Sequence, residues 1–267
     1  MSTLGVAFHE GAVVAKRNLR MILRVPELLV NAAVAPIMMT LLFGFVIGGA
    51  IELDGVSYRE FLMDGIFVQA VLFSAVNTGT VIASDITTGI VDRLRSMPIS
   101  RSAVLMGRTS SDVVNNLVVV VVTAVLGLVI GWRVRTSFLD ALLGFVVLLV
   151  FAYALSWLMA VVGLAMRVPE VVSSTGFTIA IPLGFLSNAY VPIDTMPGVL
   201  QAVAAWNPIS AVVQALRDLF GNMPANAVRP DAWPMQHPVA ASLLWIVVLL
   251  AVFIPLATRQ YWKAVSR

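Results

Sequence analysis

Long apolar runs recur along the chain, and they constrain its fold more than any other feature. A helix needs roughly 20 apolar residues to cross the hydrocarbon core of a bilayer. Six runs are of about this length, near Leu28–Ile51, Phe61–Ala83, Val113–Gly131, Leu139–Ala165, Val171–Tyr190 and Val239–Ala257. Short segments of alternating polarity, typical of a membrane β-barrel, are missing. The sequence therefore predicts an all-α integral membrane protein with six transmembrane helices.

Composition supports the same class and excludes others. Hydrophobic residues make up 60% of the chain and charged residues only 12%, against about 45–50% and about 25% in soluble domains. Such a chain cannot cover a water-exposed surface, which excludes a soluble enzyme, a disordered tail and a nucleic-acid-binding module. Cysteine is absent, so thiolate metal sites and cysteine nucleophiles are excluded. We expect one membrane-spanning domain over residues 1–267 and no nucleic-acid partner.

The distribution of Lys and Arg predicts the orientation. With both termini in the cytoplasm, twelve basic residues lie inside, namely Lys16, Arg17, Arg20, Arg24, Arg93, Arg95, Arg101, Arg108, Arg167, Arg259, Lys263 and Arg267. Five lie outside, namely Arg59, Arg133, Arg135, Arg217 and Arg229. This is the direction of the positive-inside rule, and the neighbours Arg133 and Arg135 are the local exception. We expect a multi-pass protein of the cell (inner) membrane.

Residues 1–25 have the pattern of an amphipathic helix lying in the membrane surface. The apolar arc consists of Leu4, Phe8, Ala12, Ala15, Leu19, Ile22 and Leu23, and basic residues occupy the adjoining arc. Val25 and Pro26 then end the helix. Two interpretations stay open: a basic anchor that only fixes topology, or a rigid elbow that moves with the first span.

Ionisable residues are almost absent from the predicted spans. Asp64, Asp112 and Asp140 lie at span edges, and both histidines, His9 and His237, lie outside the bilayer core. Ion-coupled transporters usually carry an ionisable coupling site inside the membrane. No His-Glu-x-x-His zinc motif and no Gly-x-x-x-x-Gly-Lys-[Ser/Thr] phosphate loop occurs. We predict no metal and no cofactor in this chain, and an energy source in a partner subunit.

Polar residues gather on one face of the second span. At 100° per residue, Gln69, Asn77, Thr80 and Ser84 fall in one arc together with Phe73. Hydrogen bonds between helices commonly hold membrane bundles together, so packing is one interpretation of this face. The other is that it lines a substrate path.

The cytoplasmic loop between the second and third spans, residues 85–101, predicts a short amphipathic helix. Ile90, Leu94 and Met97 repeat at helical spacing, and Pro98 ends the helix. Such a helix can dock into a groove on a soluble partner. A solvated charged loop that only obeys the topology rule explains the residues equally well.

The external segment 191–238 contains two apolar helices too short to span, at about 197–206 and 208–220. Asn207 is a good N-cap with Pro208 at the first helical position, and Gly221 suits the position after the C-terminus. We expect either a broken hairpin that re-enters the outer leaflet or an extracellular lid packed on the bundle.

Two segments carry a resemblance that covers nearly the whole chain. They read DITTGIVDRLRSMPISR at 85–101 and GFLSNAYVPIDTMPGVLQAVAAWNPISAVVQALR at 184–217. The chain resembles type-2 ABC exporter permeases, in particular the daunorubicin-resistance group. The resemblance implies six spans, an N-terminal interfacial helix, a cytoplasmic coupling helix and a re-entrant hairpin before the last span.

The resemblance also implies partners and roles. Two copies of a soluble ATP-binding subunit would bind ATP and Mg²⁺, and a second permease, identical or related, would complete the pair. Contacts with the ATPase would come from Gly89, Asp92, Arg93, Arg95 and Pro98, and the hairpin would be shaped by Pro192, Pro197, Asn207 and Pro208. The cargo of this group includes hydrophobic drugs and lipids, and this chain would itself be no enzyme.

Two other classes of function were weighed. A self-contained secondary transporter or channel is disfavoured by the absence of ionisable groups from the middle of the spans and by the lack of inverted repeats. A lipid-modifying membrane enzyme would need paired carboxylates or a histidine cluster at the interface, and the sequence has neither.

Overall fold

The structure is a computed structural model that describes residues 34–48, 55–88, 101–224 and 228–265 of the chain. Two predicted features lie outside these residues: the interfacial helix at 1–25, and nearly all of the coupling helix, including Gly89, Asp92, Arg93, Arg95 and Pro98. Within the described residues the regular structure is helical and no strand occurs, which confirms the all-α class.

The described helices follow one another in this order: α1 Val34–Val46, α2 Tyr58–Thr87, α3 Arg101–Ile130, α4 Phe138–Met166, α5 Pro169–Phe185, a 3-10 turn at Ile193–Thr195, α6 Gly198–Trp206, α7 Pro208–Phe220, α8 Trp233–Gln236 and α9 Pro238–Val265. The second half of α1 belongs to a π-helix at Thr40–Ile47. The bundle has two ends. We call the end with the α6–α7 pair, where α2 begins, the hairpin end, and the end where α2 stops and α3 starts the loop end.

Four helices are long and apolar enough to cross a membrane: α2, α3 from Asp112 onward, α4, and α9 as far as Tyr261. The α6–α7 pair, bent by 75° at Asn207, qualifies as a fifth span if it is counted as one element. In the fifth predicted span, Val171–Tyr190, the helix already ends at Phe185, after Pro182 in its last turn. The chain is thus a multi-pass membrane protein.

Helix α2 is the centre of the bundle. It packs against α1, α3, α4, α5 and α7, and 72% of its most apolar segment is buried, against 28% for α3 and 17% for α9. Its closest crossing is with α4, where a Cβ atom at Gly163 would lie 3.2 Å from the carbonyl carbon of Gly79. Of the polar face predicted on the second span, Gln69 lies inside the bundle, whereas Asn77 is exposed.

Helix ends follow the local chemistry. Ser57 starts α2 with a capping box, since its side chain accepts from the N–H of Glu60 while the Glu60 side chain accepts from the N–H of Ser57. Asn207 caps α7, Pro208 occupies its first turn, and Gly221 at φ 76° ends it, which confirms the prediction for these three residues.

Arg133 and Arg135, the exceptions in the predicted orientation, both have local hydrogen-bond partners. Nη2 of Arg135 donates to both oxygen atoms of the buried Glu60 carboxylate on α2, at 2.8 and 2.9 Å. Arg133 donates to the carbonyl groups of Leu128 and Trp132, at 2.7 and 2.8 Å, where the C-terminus of α3 carries partial negative charge. Both arginines therefore make contacts that stabilise the bundle, and a count of charges along the sequence does not reveal such contacts.

Candidate functional site

A stripe of polar side chains on α7 joins the hairpin to the rest of the bundle. Asn207, Ser210, Gln214 and Arg217 recur at spacings of three and four residues, so they share one helix face. All four are buried, with at most 5% of each residue exposed. Asn188 donates from its backbone N–H to Ser210 Oγ at 3.1 Å and from its side chain to Gln214 Oε1 at 3.2 Å. The stripe thus binds the segment that follows α5.

The side chain of Asn207 binds backbone groups at the ends of two helices, α5 and α7. Its Oδ1 accepts from the N–H of Ile209 at 2.8 Å, which caps α7. Its Nδ2 donates to the carbonyl groups of Leu183 and Leu186, both at 2.8 Å. The last carbonyls of a helix have no partner inside it, so Asn207 satisfies acceptors at the end of α5. This double use fixes the angle between α5 and the hairpin.

Arg217 is the largest polar side chain in the interior of the hairpin end, and it is 1% exposed. Its guanidinium donates to the carbonyl groups of Asn188 at 2.7 Å, Phe61 at 3.3 Å and Ala189 at 3.4 Å. It also lies over the ring of Phe61, 3.5 Å from the ring centroid, a cation–π contact. One side chain therefore joins three segments: α7, the start of α2 and the turn after α5.

Asp64 lies in the second turn of α2, three residues after Phe61, whose carbonyl group Arg217 binds. It is fully buried, at 0% exposure. Its Oδ1 accepts from the indole N–H of Trp132 at 3.3 Å, and a side-chain amide atom of Asn222 lies 3.4 Å away. Its Oδ2 has no hydrogen-bond partner among the described residues. Burial of a polar atom without a partner costs free energy.

Aromatic rings fill the space between α1 and the turn after α5. Tyr190 stacks on Phe43 at 4.4 Å between centroids and on Phe185 at 4.9 Å. The hydroxyl of Tyr58 donates to the carbonyl of Tyr190 at 2.8 Å. This cluster holds the turn after α5 against the first turn of α2.

Two of the four predicted substrate-path residues, Gln69 and Phe73, contact α5. Gln69 is buried and its amide has no partner; a Cβ atom at Gly184 of α5 would lie 2.9 Å from Gln69 Nε2. Phe73 is half-buried and packs edge-on against Phe177 of α5, at 5.4 Å. Asn77 is exposed. Thr80 is half-buried and donates to Val76 O of its own helix. The structure thus brings Gln69 and Phe73 to the α2–α5 interface, and a role in binding cargo stays a prediction.

The hairpin residues named from the sequence lie at element boundaries. Pro192 precedes the 3-10 turn and its carbonyl accepts from Thr195 Oγ1 at 2.8 Å. Pro197 precedes α6, and Pro208 stands in the first turn of α7. The sequence analysis did not recognise that Ser210, Gln214 and Arg217 form one polar face, although their spacing on an apolar helix indicates it.

A second polar network, nearer the loop end, also escaped the sequence interpretation. Ser74 Oγ of α2 donates to Asn116 Oδ1 of α3 at 2.7 Å, and Asn116 Nδ2 donates to Ser156 Oγ of α4 at 3.5 Å. Thr78 Oγ1 donates to the carboxylate of Asp112 at 3.3 Å. These bonds join α2 and α3, the two helices that flank the loop at 89–100.

Comparison with known proteins assigns the family. Residues 10–220 match the family model described as ABC-2 type transporter. The daunorubicin resistance ABC transporter permease protein DrrB1 of Streptomyces coeruleorubidus is 34% identical over 236 residues, which cover 88% of this chain and 80% of that protein. The probable doxorubicin resistance ABC transporter permease protein DrrC of Mycobacterium tuberculosis (strain ATCC 25618 / H37Rv) is 25% identical over 233 residues, 85% of this chain and 79% of that one.

A further relative is named as a transport permease. The putative transport permease ycf38 of Porphyra purpurea is 26% identical over 205 residues, which cover 74% of this chain and 69% of that protein. The family match spans every element from α1 to α7, including the polar stripe of the hairpin and both helices that flank the loop at 89–100. The chain belongs to the ABC-2 type transporter family, as a permease subunit of an ABC exporter.

Proposed function

We propose that this permease moves hydrophobic or amphipathic compounds, drugs or lipids, out of the cell. The observation that carries the proposal is the 34% identity, over 88% of this chain, to a permease named for daunorubicin resistance. The apolar composition and the scarcity of charges in the bundle support a cargo of this class. Energy comes from ATP hydrolysis in two copies of a separate ATP-binding subunit, which holds ATP and Mg²⁺, and a second permease, identical or related, completes the complex.

The proposed topology has six spans and both termini in the cytoplasm of the cell (inner) membrane. The loop end then faces the cytoplasm and the hairpin end faces outward. The excess of Lys and Arg on the cytoplasmic side supports this orientation. Arg133 and Arg135 then lie outside, bound to the carbonyl group of Leu128 and to the carboxylate of Glu60. We propose further that α6 and α7 form a re-entrant hairpin in the outer leaflet, which the exposed apolar side chains of Val199, Val203 and Trp206 on α6 support.

In this proposal the loop between α2 and α3 is the coupling element that contacts the ATPase, through Gly89, Asp92, Arg93, Arg95 and Pro98. The hydrogen bonds of Ser74 with Asn116 and of Thr78 with Asp112 support this role. They link α2 and α3, the helices before and after the loop, so a force applied to the loop acts on both helices together.

Reversal of charge in the loop tests the coupling role. Arg93→Glu with Arg95→Glu is expected to abolish ATP-driven export and to weaken association with the ATPase, because charge complementarity orients such interfaces. Membrane insertion and the amount of folded permease are expected to stay unchanged. The measurement is co-purification of the ATPase together with export by cells.

Arg259→Glu, which reverses an exposed charge on α9 near the same end of the bundle, is the matched control. It is expected to leave export and association intact. Unchanged export and unchanged ATPase association in the loop variant would exclude the coupling role.

Replacement of the polar residues on α2 tests the substrate path. Gln69→Leu is expected to leave the thermal stability of the permease unchanged or raised, because both polar atoms of the buried amide lack partners and their loss costs no hydrogen bond. Gln69→Leu with Asn77→Leu is nevertheless expected to change the relative export of different compounds. Toxicity profiles of expressing cells against a panel of hydrophobic drugs measure this. A lower stability with an unchanged profile would favour the packing interpretation.

A further inference from the structure

The turn between α4 and α5, residues 167–168, lies at the loop end, beside the loop proposed to contact the ATPase. Leu164, in the last turn of α4, belongs to an apolar cluster against which Ile86 of α2 also packs. Helix α2 ends one residue later, at Thr87, and the loop at 89–100 follows. The turn and the loop are therefore neighbours at the same end of the permease.

Close contacts between helices hold the turn in a fixed position. A Cβ atom at Gly163, four residues before Arg167, would lie 3.2 Å from the carbonyl carbon of Gly79 on α2. A Cβ atom at Gly79 would in turn lie 3.2 Å from Cγ1 of Val172, in the first turn of α5. Because both helices that meet at the turn pack this closely on α2, a force on the turn acts on all three helices together.

Arg167 has a backbone conformation that is unusual for its residue type. It ends α4 at φ 57°, and its N–H donates to the carbonyl of Gly163 at 3.1 Å. The other positions with positive φ among the described residues are glycines, at Gly55, Gly131 and Gly221. This conformation costs free energy in a residue with a Cβ atom, and residues held in it cluster at functional sites. Glycine would end α4 at a lower cost, so the side chain of Arg167 needs another explanation.

The side chain of Arg167 is exposed, and it makes no hydrogen bond or ion pair with any residue in the described ranges. Basic side chains near the end of a helix commonly bind its last carbonyl groups. Arg133 does so at the end of α3, whereas Arg167 does not do so at the end of α4. Its guanidinium is therefore available to a partner of the permease.

Exposed apolar side chains flank Arg167, and the lipid tails do not account for them. They are Met166 at 39%, Val168 at 44% and Val171 at 45%. Helix α4 has 29 residues, which makes it about 44 Å long, against roughly 30 Å for the hydrocarbon core. Its first turn carries the strongly exposed Phe138 and Leu139, which suit a membrane environment. The last turn of α4 and the turn after it then project beyond the core on the cytoplasmic side.

We propose that residues 166–171 form a second contact site for the ATP-binding subunit, beside the loop at 89–100. Arg167 binds an acidic side chain of the ATPase, and the flanking apolar side chains pack against its surface. An anionic lipid headgroup is the other ligand that suits an arginine at this depth, and the exposed carboxylate of Glu170 disfavours it by repulsion. This inference rests on the proposed function, since it concerns the same ATPase.

Site-specific crosslinking tests the contact, because the natural chain has no cysteine. Val168→Cys carries a thiol-reactive photocrosslinker at the turn, and Val248→Cys, in the middle of α9 and almost equally exposed at 42%, is the matched control. In the permease–ATPase complex in lipid vesicles, we expect a covalent adduct with the ATPase from Val168→Cys and none from Val248→Cys. A complex that contains the ATPase but gives only lipid adducts or none at position 168, or equal ATPase adducts at both positions, would overturn the contact.

Arg167→Gly separates binding from folding. Glycine adopts φ 57° without cost, so the thermal midpoint of the permease is expected to stay equal or rise. Affinity for the ATPase is expected to fall about tenfold, because a hydrogen bond to a charged group is lost. Arg259→Ala, at an exposed arginine near the same end of α9, is expected to leave the affinity unchanged.

The affinity is measured in vesicles of zwitterionic lipid, with and without anionic lipid. Unchanged affinity in Arg167→Gly, or a loss that occurs only when anionic lipid is present, would contradict the contact, and the latter would assign Arg167 to lipid headgroups. A wild-type permease that binds no ATPase would instead refute the proposed function, so the two failures are distinguishable.

Discussion

Arg217→Met is expected to remove most of the folded permease from the membrane. The change deletes the donor that serves the carbonyls of Phe61, Asn188 and Ala189. It also removes the cation–π contact with the ring of Phe61. A buried acceptor left without its donor costs about 1–3 kcal/mol, and three such acceptors together are a large part of a total stability of about 5–15 kcal/mol. The measurement is the monodisperse fraction and the thermal midpoint of the solubilised protein.

Arg229→Met is the control that separates the buried guanidinium from a general loss of arginine. It breaks an ion pair with Asp218 at 2.7 Å that is partly exposed, with 35% and 24% of the two side chains accessible. Such pairs contribute about 0–1 kcal/mol, so little change is expected. An Arg217→Met variant as stable as the Arg229→Met control would show that Arg217 does not hold the hairpin end together.

Gly65→Ala is expected to lower the stability of the bundle more than any other substitution that adds one methyl group. A Cβ atom there would lie 2.7 Å from the carbonyl carbon of Ala189 and 2.8 Å from its Cα, and these are backbone atoms that cannot rotate away. Overpacking typically costs about 1–3 kcal/mol and occasionally more, and we expect the upper part of this range. The thermal midpoint and the yield of folded protein measure it.

Gly198→Ala is the control for Gly65→Ala. A Cβ atom at Gly198 meets nothing within 4 Å, and alanine favours the helix that begins there. We expect equal or slightly higher stability. If both alanine variants were equally stable, the close approach of α2 to the turn after α5 would not exist in the membrane.

Local chemistry made several elements predictable from the sequence. Asn207, Pro208 and Gly221 define the ends of α7 through capping and backbone preferences that act within a few residues. The apolar runs located α2, α3, α4 and α9 because span length is set by the bilayer. Both segments that carried the resemblance, 85–101 and 184–217, lie within the match to the family, which covers residues 10–220.

The partners of the buried polar groups were not predictable in the same way. Asp64 was predicted to lie near a span edge, yet its burial and its contact with the indole of Trp132 depend on a residue 68 positions away in sequence. Helical periodicity identifies which residues share a face, but it does not identify the helix that this face contacts. The polar arc of Gln69, Phe73, Asn77 and Thr80 was therefore found, whereas its contact with α5 required the structure.

Identification of the proteins bound to this chain tests most directly whether it is the membrane-spanning subunit of an ATP-driven exporter. The permease should be purified in mild detergent from the membrane in which it is naturally made, and the bound proteins identified by mass spectrometry. We predict a stoichiometric soluble partner that carries a Gly-x-x-x-x-Gly-Lys-[Ser/Thr] phosphate loop and hydrolyses ATP. A permease that stays alone even after gentle crosslinking would contradict the account and would point to a transporter that works without an ATPase.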